Sequence, residues 1–324
     1  APLAKLMLPV LYNPRHNGLE DMRDFEVQLG TVIIGRYRVV STIGKGSFSK
    51  VFQCFDLRRE RMVSLKVLRN EKDCFDGGLG EIRMLTLFEQ HDDHTHQRLR
   101  LLDYFYYKEH LFVITELLRD TLFQFYKFLD ATEPMGMRTY FTLGTIGKVA
   151  QQLLATLNHL HSLGGVHCDV KTENVCLSSA TRREVKLIDF GSSMLPLDTH
   201  NSYVQSRWYR APEVILGLPW DSKIDIWSLG CLLCELLIGE PVFGGATIGE
   251  VLAAHQAICG PHPRALLERA PREMRKMFFG PDGALYILDP HGKPEGAYEL
   301  RPQATRLKEH LEVDDKGFLT PTLT

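Results

Sequence analysis

The hydrophobic pattern of this chain changes its period near Leu118, and that change limits the folds open to it. Before this point the apolar residues come in short β-rich runs separated by turn-forming or charged residues, a pattern typical of an antiparallel sheet. One helix interrupts the runs, because Ile82, Leu85 and Phe88 share a helical face within Gly80–Phe88. The predicted strands are Tyr37–Ile43, Val51–Phe55, Met62–Leu68, Arg100–Tyr107 and His110–Glu116.

After Leu118 the period is helical. One apolar stripe ends at Gly164-Gly165, which supply the left-handed conformation that terminates a helix. A second helix, capped by Asp221, runs through Trp227 to Ile238 and is apolar nearly all round, which predicts burial. The predicted fold class is α+β: a small lobe with an antiparallel β-sheet and one regulatory helix, then a larger, mainly helical lobe, with the active cleft between them. The stripe residues are Ile146, Val149, Leu153, Leu154, Leu157 and Leu160.

The change of texture along the chain predicts four segments. Residues 1–35 form an N-terminal extension that packs loosely against the first domain. Residues 36–116 form the small lobe and residues 117–260 the large lobe. Residues 261–324 are richer in proline, glycine and charge, and we interpret them as an appendage with one helix at Pro263–Phe278 and a hairpin around Pro281-Asp282-Gly283.

The composition excludes several classes of partner. A net charge of −2 argues against nucleic acid and acidic lipid, since both select concentrated Lys and Arg. The seven cysteines lack framework spacing and favour an intracellular compartment, cytoplasmic or nuclear. Cys231 and Cys234 have metal-type spacing, but without a second pair we interpret them as buried thiols. No apolar stretch is long enough to cross a membrane. We therefore expect a monomer whose partners are a nucleotide and protein substrates.

A segment with two glycines joins the first two predicted strands. Gly44 and Gly46 allow backbone amides to approach phosphate oxygens without obstruction by a side chain. A flexible turn between strands has the same pattern, so this segment alone leaves both interpretations open. The residues that we predict to contact a nucleotide here are Ile43, Gly44, Lys45, Gly46, Ser47, Phe48 and Val51.

Lys66 lies in an otherwise apolar predicted strand, Met62–Leu68. A lysine on an edge strand that points to solvent is the simplest interpretation. Glu81 is available on the following helix, however, and an ion pair that orients Lys66 towards the α- and β-phosphates of a nucleotide explains the lysine better.

Two polar segments further along supply the groups that phosphoryl transfer requires. Within His167–Asn174, Asp169 is placed to accept the proton of a substrate hydroxyl and Lys171 to hold the transferring phosphoryl group. Asn174 and Asp189 offer the amide and carboxylate oxygens that Mg²⁺ prefers. Solvated loop residues explain any one of these side chains, but not all of them together.

These segments together resemble the signature set of the eukaryotic protein kinases over roughly residues 37–260. Within that superfamily the chain resembles the CMGC group and, within it, the dual-specificity tyrosine-regulated (DYRK) family. His167-Cys168-Asp169, Asp189–Ser193 and Tyr203–Glu213 carry this resemblance. It implies a bilobal kinase fold, ATP and Mg²⁺ as cofactors, and Ser or Thr of proteins as the substrate. A splicing-associated kinase of the same group, or a pseudokinase scaffold that binds nucleotide, stays open as an alternative.

The resemblance also implies roles for residues that the pattern alone does not assign. Thr115 matches the gatekeeper, and Glu116 and Leu118 match the hinge whose backbone binds adenine. Because threonine is small, we expect an open pocket behind the adenine. Ser206 matches the hydroxyl residue that bridges the catalytic aspartate and lysine, and Arg207 matches the residue that favours proline after the target hydroxyl.

Regulation is implied by the same resemblance. Tyr203 matches the tyrosine that DYRK-type kinases phosphorylate on themselves, and Arg207 and Arg210 are basic groups for its phosphate. Cys168 stands where most regulated kinases have an arginine that binds a phosphate on the activation loop, so activation by a phosphothreonine is not expected. An unmodified packing residue at Tyr203 stays open.

The chain ends at Thr324, within what resembles the CMGC insert. In kinases an arginine from later helices pairs with the glutamate that Glu213 matches. A buried carboxylate without its partner costs several kcal/mol. We therefore expect the large lobe to be incomplete in this chain.

Overall fold

The computed structural model describes residues 6–12, 23–91, 98–132, 140–179, 181, 183–195, 203–280, 283 and 285. Its residues form two compact units that alternate along the chain. The first unit comprises Ala1–Thr121, Gln152–His167 and Asn174–Asp198. The second comprises Leu122–Gln151, Cys168–Glu173 and Thr199–Thr324.

The first unit contains a curled, mainly antiparallel sheet. Its strands are β1 (Val10–Leu11), β2 (Val32–Ile33), β3 (Tyr37–Lys45), β4 (Ser49–Asp56), β5 (Arg61–Leu68), β6 (Leu101–Tyr107) and β7 (His110–Glu116), in the order β1-β6-β7-β5-β4-β3-β2. The pairing of β1 with β6 is parallel and the other pairings are antiparallel. All five strands predicted from the short β-rich runs are present. The antiparallel sheet of the predicted fold class is therefore confirmed.

One face of this sheet builds the larger apolar core of the unit. Along β5 the side chains of Val63, Leu65 and Val67 are buried, while Lys66 lies on the opposite face because successive strand residues alternate between faces. Burial of each such side chain stabilises the fold by about 1.5–3 kcal/mol. The core residues are Ile33, Tyr37, Val39, Phe52, Cys54, Val63, Leu65, Val67, Phe105, Phe112 and Ile114.

The described part of the N-terminal extension contacts the sheet of this unit at two places. Phe25 packs edge-on against Phe112, with ring centroids 5.2 Å apart. The amide of Tyr106 donates to the carbonyl of Pro9 at 2.8 Å, where β1 joins the edge of the sheet. The two-residue strands β1 and β2 are too short to show a period in the sequence, which explains why they were not predicted.

Helix α1, Lys72–Gln90, begins eight residues before the predicted start at Gly80. The glycines in its first half are poor helix formers and hide the helical pattern in the sequence. Packing explains one of them: a Cβ on Gly78 would lie 2.7 Å from the side chain of Leu111. Ile82 and Leu85 lie fully buried on the same helix. Tertiary packing thus stabilises a helix that local propensity does not predict.

A two-stranded hairpin completes the first unit. Strands β8 (Val175–Ser179) and β9 (Glu184–Leu187) are antiparallel, with Val175 opposite Leu187. The side-chain amide of Gln152, on the helix Leu143–Ser162 (α3), binds this hairpin. It donates to the carbonyl of Arg183 at 2.9 Å and accepts from the amide of Val185 at 3.0 Å.

The second unit is helical. Its helices are α2 (Leu122–Thr132), the first part of α3 (Leu143–Ser162), α4 (Pro212–Ile215), α5 (Lys223–Ile238), α6 (Ile248–Cys259), α7 (Arg264–Arg269) and α8 (Arg272–Phe278). Helix α3 ends just before Gly164, which has a left-handed φ of +80°, as predicted. At the start of α5 the N-cap residue is Ser222 and not the predicted Asp221. The carboxylate of Asp221, one residue earlier, nevertheless accepts from the first helical amide, that of Lys223, at 2.9 Å.

The single helix predicted at Pro263–Phe278 is wrong. The structure divides this segment into α7 and α8, with Ala270 extended at ψ 141° between them. Pro271 explains the break, because a proline has no N–H and disfavours helical backbone at the residue before it. Of the hairpin predicted next, Pro281 and Asp282 lie outside the described residues, and an antiparallel bridge joins Phe279 to Leu285.

Within the part of the chain that the structure describes, every helix is too short or too polar to traverse a bilayer.

A buried histidine lies in an aromatic cluster of the second unit. The ring of His255 is 1% exposed and packs edge-on against Phe243 at 4.4 Å and Trp227 at 4.9 Å between centroids. Within the described residues, neither of its ring nitrogens has a hydrogen-bond partner. Burial, with the neighbouring His262 adding to it, lowers the pKa of His255 to about 3. The ring is therefore neutral in the folded protein.

This neutral ring makes the stability of the protein sensitive to acid. The unfolded chain takes up a proton at this position below about pH 6.5 and the folded chain does not, so the free energy of unfolding falls as the pH drops. Between pH 6.5 and pH 5 we expect His255 to contribute a loss of about 2 kcal/mol. His255→Phe, which keeps a ring in the cluster, should reduce this loss in urea unfolding measured at the two pH values.

His91 provides the control, because it is a histidine on the exposed surface. His91→Gln should retain the acid sensitivity of the parent protein. An equal loss of stability on acidification in His255→Phe and the parent would contradict the assignment.

Candidate active site

The glycine-containing segment forms the tip of the β3–β4 hairpin. The amide of Gly46 donates to the carbonyl of Ser49 at 2.9 Å and closes the turn. A Cβ on Gly44 would lie 3.5 Å from the side chain of Val51, and one on Gly46 would lie 3.8 Å from the carbonyl of Ser49, both ordinary contacts. Internal packing therefore does not require these glycines. Glycine at both positions fits a phosphate group bound outside the hairpin, because a backbone without Cβ atoms can approach the phosphate closely.

The other predicted contacts of the nucleotide lie along the same hairpin. Ile43 is half-exposed and Phe48 is largely exposed. The guanidinium of Arg69 donates to the carbonyl of Ser47, and the amide of Arg69 donates to that of Phe48 at 3.0 Å. The tip is thus tied to the end of β5. The hairpin carries Ile43, Gly44, Lys45, Gly46, Ser47, Phe48 and Val51.

Lys66 links three elements of the first unit through its ammonium group. Its Nζ lies 2.8 Å from Oε2 of Glu81 on α1 and 2.8 Å from Oδ1 of Asp189, just after β9. The Glu81 side chain is 3% exposed and the Asp189 side chain 45% exposed. The inner carboxylate therefore holds the lysine, while the outer one remains open to a further ligand.

The charges of this cluster follow from its contacts. Burial works against the charge on Lys66, but Asp189 and then Glu81 outweigh it and raise the lysine pKa. The ammonium lowers the pKa of Asp189 to about 2, whereas burial raises that of Glu81. Lys66 and Asp189 are consequently charged at neutral pH, as binding of a phosphate and a divalent cation requires.

The backbone around Asp189 is held in an uncommon conformation. Asp189 has φ +60°, and the next residue, Phe190, is 1% exposed. The Phe190 ring packs edge-on against Phe88 of α1 at 5.3 Å and against His167 at 4.9 Å between centroids. A side-chain nitrogen of His167 lies 3.2 Å from the carbonyl of Ile188. Packing of the neighbouring rings thus fixes the direction of the Asp189 carboxylate.

Asn174 and Asp189 flank the open end of the β8–β9 hairpin. The carbonyl of Asn174 accepts from the amide of Ile188 at 2.9 Å, one pair beyond Val175 and Leu187. Both side chains offer oxygen, the donor that Mg²⁺ prefers. Within the described residues, no group of three or more His, Cys, Asp or Glu is arranged to hold a metal. The two oxygen donors of Asn174 and Asp189 fit Mg²⁺, because Mg²⁺ keeps water and phosphate oxygens among its ligands.

Asp169, Lys171 and Ser206 form a closed triangle in the second unit. The ammonium of Lys171 lies 2.8 Å from Oδ2 of Asp169 and 3.0 Å from Oγ of Ser206, and the serine hydroxyl donates to Oδ1 of Asp169 at 2.7 Å. The preceding residue, Cys168, is fully buried at φ +64°, and its amide donates to the buried carboxylate of Asp225 on α5 at 2.9 Å. This bond fixes the loop that carries the triangle.

The residues predicted for the hinge lie at the end of β7. Thr115 is half-buried opposite Ser64 of β5, and Glu116 and Leu118 are half-buried after it. The carboxylate of Glu116 accepts from the ammonium of Lys186 at 2.7 Å. Lys186 was not singled out in the sequence, because its partner Glu116 lies 70 residues earlier in the chain and no motif connects the two residues.

The tyrosine predicted to be modified meets one of its two predicted arginines directly. The guanidinium carbon of Arg210 lies 4.0 Å from the centroid of the Tyr203 ring, which is 66% exposed. A hydrogen bond to Arg210, with its charge and that of Arg207, lowers the pKa of Tyr203. Arg207 itself donates to the carbonyl of Ala246. Arg210 is therefore the nearer partner for a charge on Tyr203.

Sequence reasoning missed Gln205. It is buried at φ +69°, and its side chain binds the carbonyl of Ile224 at 2.8 Å, Oγ of Ser228 at 2.7 Å and the amide of Ala211 at 2.9 Å. These bonds explain how a residue without glycine's freedom holds a left-handed backbone next to Ser206.

The protein kinase domain model matches residues 37–270 of the chain. The chain therefore belongs to the protein kinase family, and the predicted α+β bilobal kinase fold class is confirmed.

Its relatives point to one branch of that family. The chain is 35% identical over 310 residues to DYRK-family kinase pom1 of Schizosaccharomyces pombe, covering 94% of this chain and 27% of the relative. It is 37% identical over 270 residues to probable serine/threonine-protein kinase dyrk2 of Dictyostelium discoideum, and the match covers 83% of this chain and 28% of the relative. It is 37% identical over 286 residues to human dual specificity tyrosine-phosphorylation-regulated kinase 4, and the match covers 88% of this chain and 52% of the relative. The predicted resemblance to DYRK kinases is confirmed, and the chain spans between about a quarter and a half of these relatives' lengths.

A close approach between two glycines offers a test of the site's geometry. A Cβ on Gly77 of α1 would lie 3.0 Å from the carbonyl oxygen of Gly191, whereas one on Gly80 would meet nothing within 4 Å. We expect Gly77→Ala to displace α1, which carries Glu81, from the turn that follows Asp189. Since overpacking costs about 1–3 kcal/mol, phosphotransfer measured as kcat/KM should fall about 10-fold.

The matched control is Gly80→Ala on the same helix. Because alanine favours helix, this variant should raise the free energy of unfolding by about 0.5–1 kcal/mol and leave phosphotransfer unchanged. Full activity in Gly77→Ala, or equal losses in both variants, would show that the approach of the two glycines is not needed.

Proposed function

We propose that this chain is an ATP-dependent protein kinase that transfers the γ-phosphoryl group to Ser or Thr hydroxyls of proteins. The observation that carries the proposal is the double ion pair of Lys66 with Glu81 and Asp189, each at 2.8 Å. Such a lysine has its charge fixed and its position set before a nucleotide arrives. The free thiols, most of them buried, fit a reducing intracellular compartment, and we propose that the protein acts there as a monomer.

The first unit holds the nucleotide in this proposal. The backbone of the Gly44–Gly46 turn covers the phosphates, Lys66 binds the α- and β-phosphates, and the backbone of Glu116 and Leu118 binds adenine. Thr115 borders the adenine and, being small, leaves space behind it. Asn174 and Asp189 are the residues that would hold Mg²⁺, which would neutralise negative charge on the phosphates of ATP.

The second unit supplies the proton acceptor. Asp169 accepts the proton of the substrate hydroxyl as the oxygen attacks phosphorus and the bond to ADP breaks. Lys171, 2.8 Å from the same carboxylate, stabilises the charge on the transferring phosphoryl group. Ser206 donates to the other oxygen of Asp169 and so orients the acceptor. Positioning and charge neutralisation supply most of the catalysis in this reaction.

A phosphotransfer assay with a library of Ser- and Thr-containing peptides tests the proposal. Asp189→Asn keeps the size of the side chain and removes the charge that binds the metal, so kcat should fall about 100-fold or more. Asp73→Asn, on the exposed first turn of α1, is the control and should retain full activity. Equal activity in Asp189→Asn and the control would contradict the proposed role of Asp189.

We propose that the protein prefers substrates with a proline directly after the target Ser or Thr. The carbonyl of Gln205 accepts from the guanidinium of Arg210 at 2.7 Å. That oxygen is directed to Arg210, so it does not offer an acceptor to the N–H of the next substrate residue. Proline has no N–H and loses no hydrogen bond there, whereas other residues leave a donor unpaired. Arg207, two residues after Gln205, is proposed to line the same position.

Peptides that differ only at the residue after the target serine show whether the missing N–H of proline causes the preference. With alanine in place of proline, kcat/KM should fall about 10-fold, because one donor is left unsatisfied. With N-methylalanine, which also lacks the N–H, kcat/KM should stay within about 3-fold of the proline peptide. An N-methylalanine peptide as poor as the alanine peptide would contradict the hydrogen-bond argument.

We also propose that Tyr203 becomes phosphorylated by the protein itself. Its exposed ring is accessible, and Arg210 lies beside it to offset part of the roughly two negative charges of a phosphate. We expect phosphate on Tyr203 in mass spectra of the active protein and none in Asp189→Asn. Tyr203→Phe, which keeps the contact of the ring with Arg210, should lower kcat/KM about 10-fold. Active protein without phosphate on Tyr203 would favour the interpretation of an unmodified packing residue.

A further inference from the structure

The segment from Glu116 to Thr121 is attached to the β8–β9 hairpin at two points. At its start, Oε1 of Glu116 accepts from Nζ of Lys186 at 2.7 Å. At its end, the amide of Arg119 donates to the carbonyl of Leu177 at 2.9 Å, and Thr121 forms a β-bridge with Cys176. A segment held at both ends on one hairpin cannot shift along it without breaking these bonds.

Lys186 is buried and directed at the carboxylate of Glu116. It is 7% exposed, although strand lysines ordinarily extend into water. The same oxygen of Glu116 that binds Lys186 also accepts from the amide of Arg100 at 2.8 Å. The carboxylate therefore joins β9 to the residue before β6, and its direction is set by two donors.

The hairpin that carries Lys186 also carries the proposed metal ligands. Asp189 follows Lys186 by three residues on the same chain, and Asn174 precedes β8 at the paired end. Both the hinge and the metal-binding end are thus built on one two-stranded frame. Any movement of Glu116 relative to this frame changes the distance between the adenine site and the metal site.

We propose that Lys186 is a positioning residue that sets the hinge for adenine through Glu116. This proposal rests on the proposed nucleotide site and adds a residue that touches neither nucleotide nor protein substrate. The ion pair orders the hinge before the nucleotide binds, so its loss adds the cost of that ordering to binding. The backbone groups of the hinge, not the Glu116 side chain, contact the adenine.

Binding of adenosine is the direct test, because adenosine has no phosphate and needs no metal. Its Kd is measured by competition with a fluorescent ADP analogue, first on the parent protein. If the parent binds no ADP, the proposed function fails. If it does, Lys186→Met should raise the Kd for adenosine about 10-fold, raise the KM for ATP and leave the KM for the peptide unchanged. Lys186→Arg, which keeps the charge, should restore binding.

A double-mutant cycle shows whether Lys186 acts through Glu116. Glu116→Gln retains an acceptor for Arg100 and should weaken adenosine binding by itself. Combining it with Lys186→Met should add less than about a 2-fold further loss. Lys223→Met, which removes a surface ion pair with Asp221 of comparable length, is the control and should bind adenosine normally.

Three outcomes overturn the proposal. These are an unchanged Kd for adenosine in Lys186→Met, losses that multiply in the double variant, or equal rises in the KM for ATP and for peptide. Should Lys186→Met fail to fold, Glu116→Gln and Lys186→Arg carry the test, since both retain hydrogen-bonding side chains of similar size. An unchanged Kd in Glu116→Gln then overturns it.

Discussion

The first unit of this protein is organised around one part-buried ammonium group, that of Lys66. A strand supplies it, a helix supplies Glu81, and the segment after a hairpin supplies Asp189, so three separate elements meet at one charge. Removal of Lys66 leaves Glu81, whose side chain is 3% exposed, as a buried carboxylate without a compensating charge, and such a loss costs about 3–5 kcal/mol. The helix, the sheet and the hairpin must therefore hold their positions together. The close approach of Gly77 to Gly191 allows the helix to lie near the segment that follows Asp189.

This arrangement works against local stability. Helix α1 carries glycines at 77, 78 and 80, each of which weakens a helix by roughly 1 kcal/mol relative to alanine. Two of these glycines allow close packing, while Gly80 faces open space. Asp189 and Gln205 both occupy left-handed backbone, which side chains other than glycine adopt at a cost. Strain of this kind persists only where neighbouring packing enforces it, and here it lies next to Lys66 and Ser206.

Much of the fold could be predicted from the sequence, and most residues of the candidate site could be proposed from it, for physical reasons. Short β-rich apolar runs between turn-forming or charged residues predicted β5 and β7. The polar groups at Asp169, Asn174 and Asp189 were recognisable because several chemical requirements occur together. The start of α1 was missed since its glycines weaken the helical signal. Contacts such as Lys186 with Glu116 depend on how a distant hairpin meets the end of β7, and no local pattern reports that.

The most direct test of the account is whether Glu81 acts through Lys66. Each variant, Lys66→Met and Glu81→Gln, and their combination are compared by kcat/KM for ATP in phosphotransfer to a peptide. We expect a loss of about 100-fold for Lys66→Met, a smaller loss for Glu81→Gln, and a double variant within about 2-fold of Lys66→Met alone. Losses that multiply in the double variant would mean that the two side chains act independently, and the central ion pair would not have the role assigned to it.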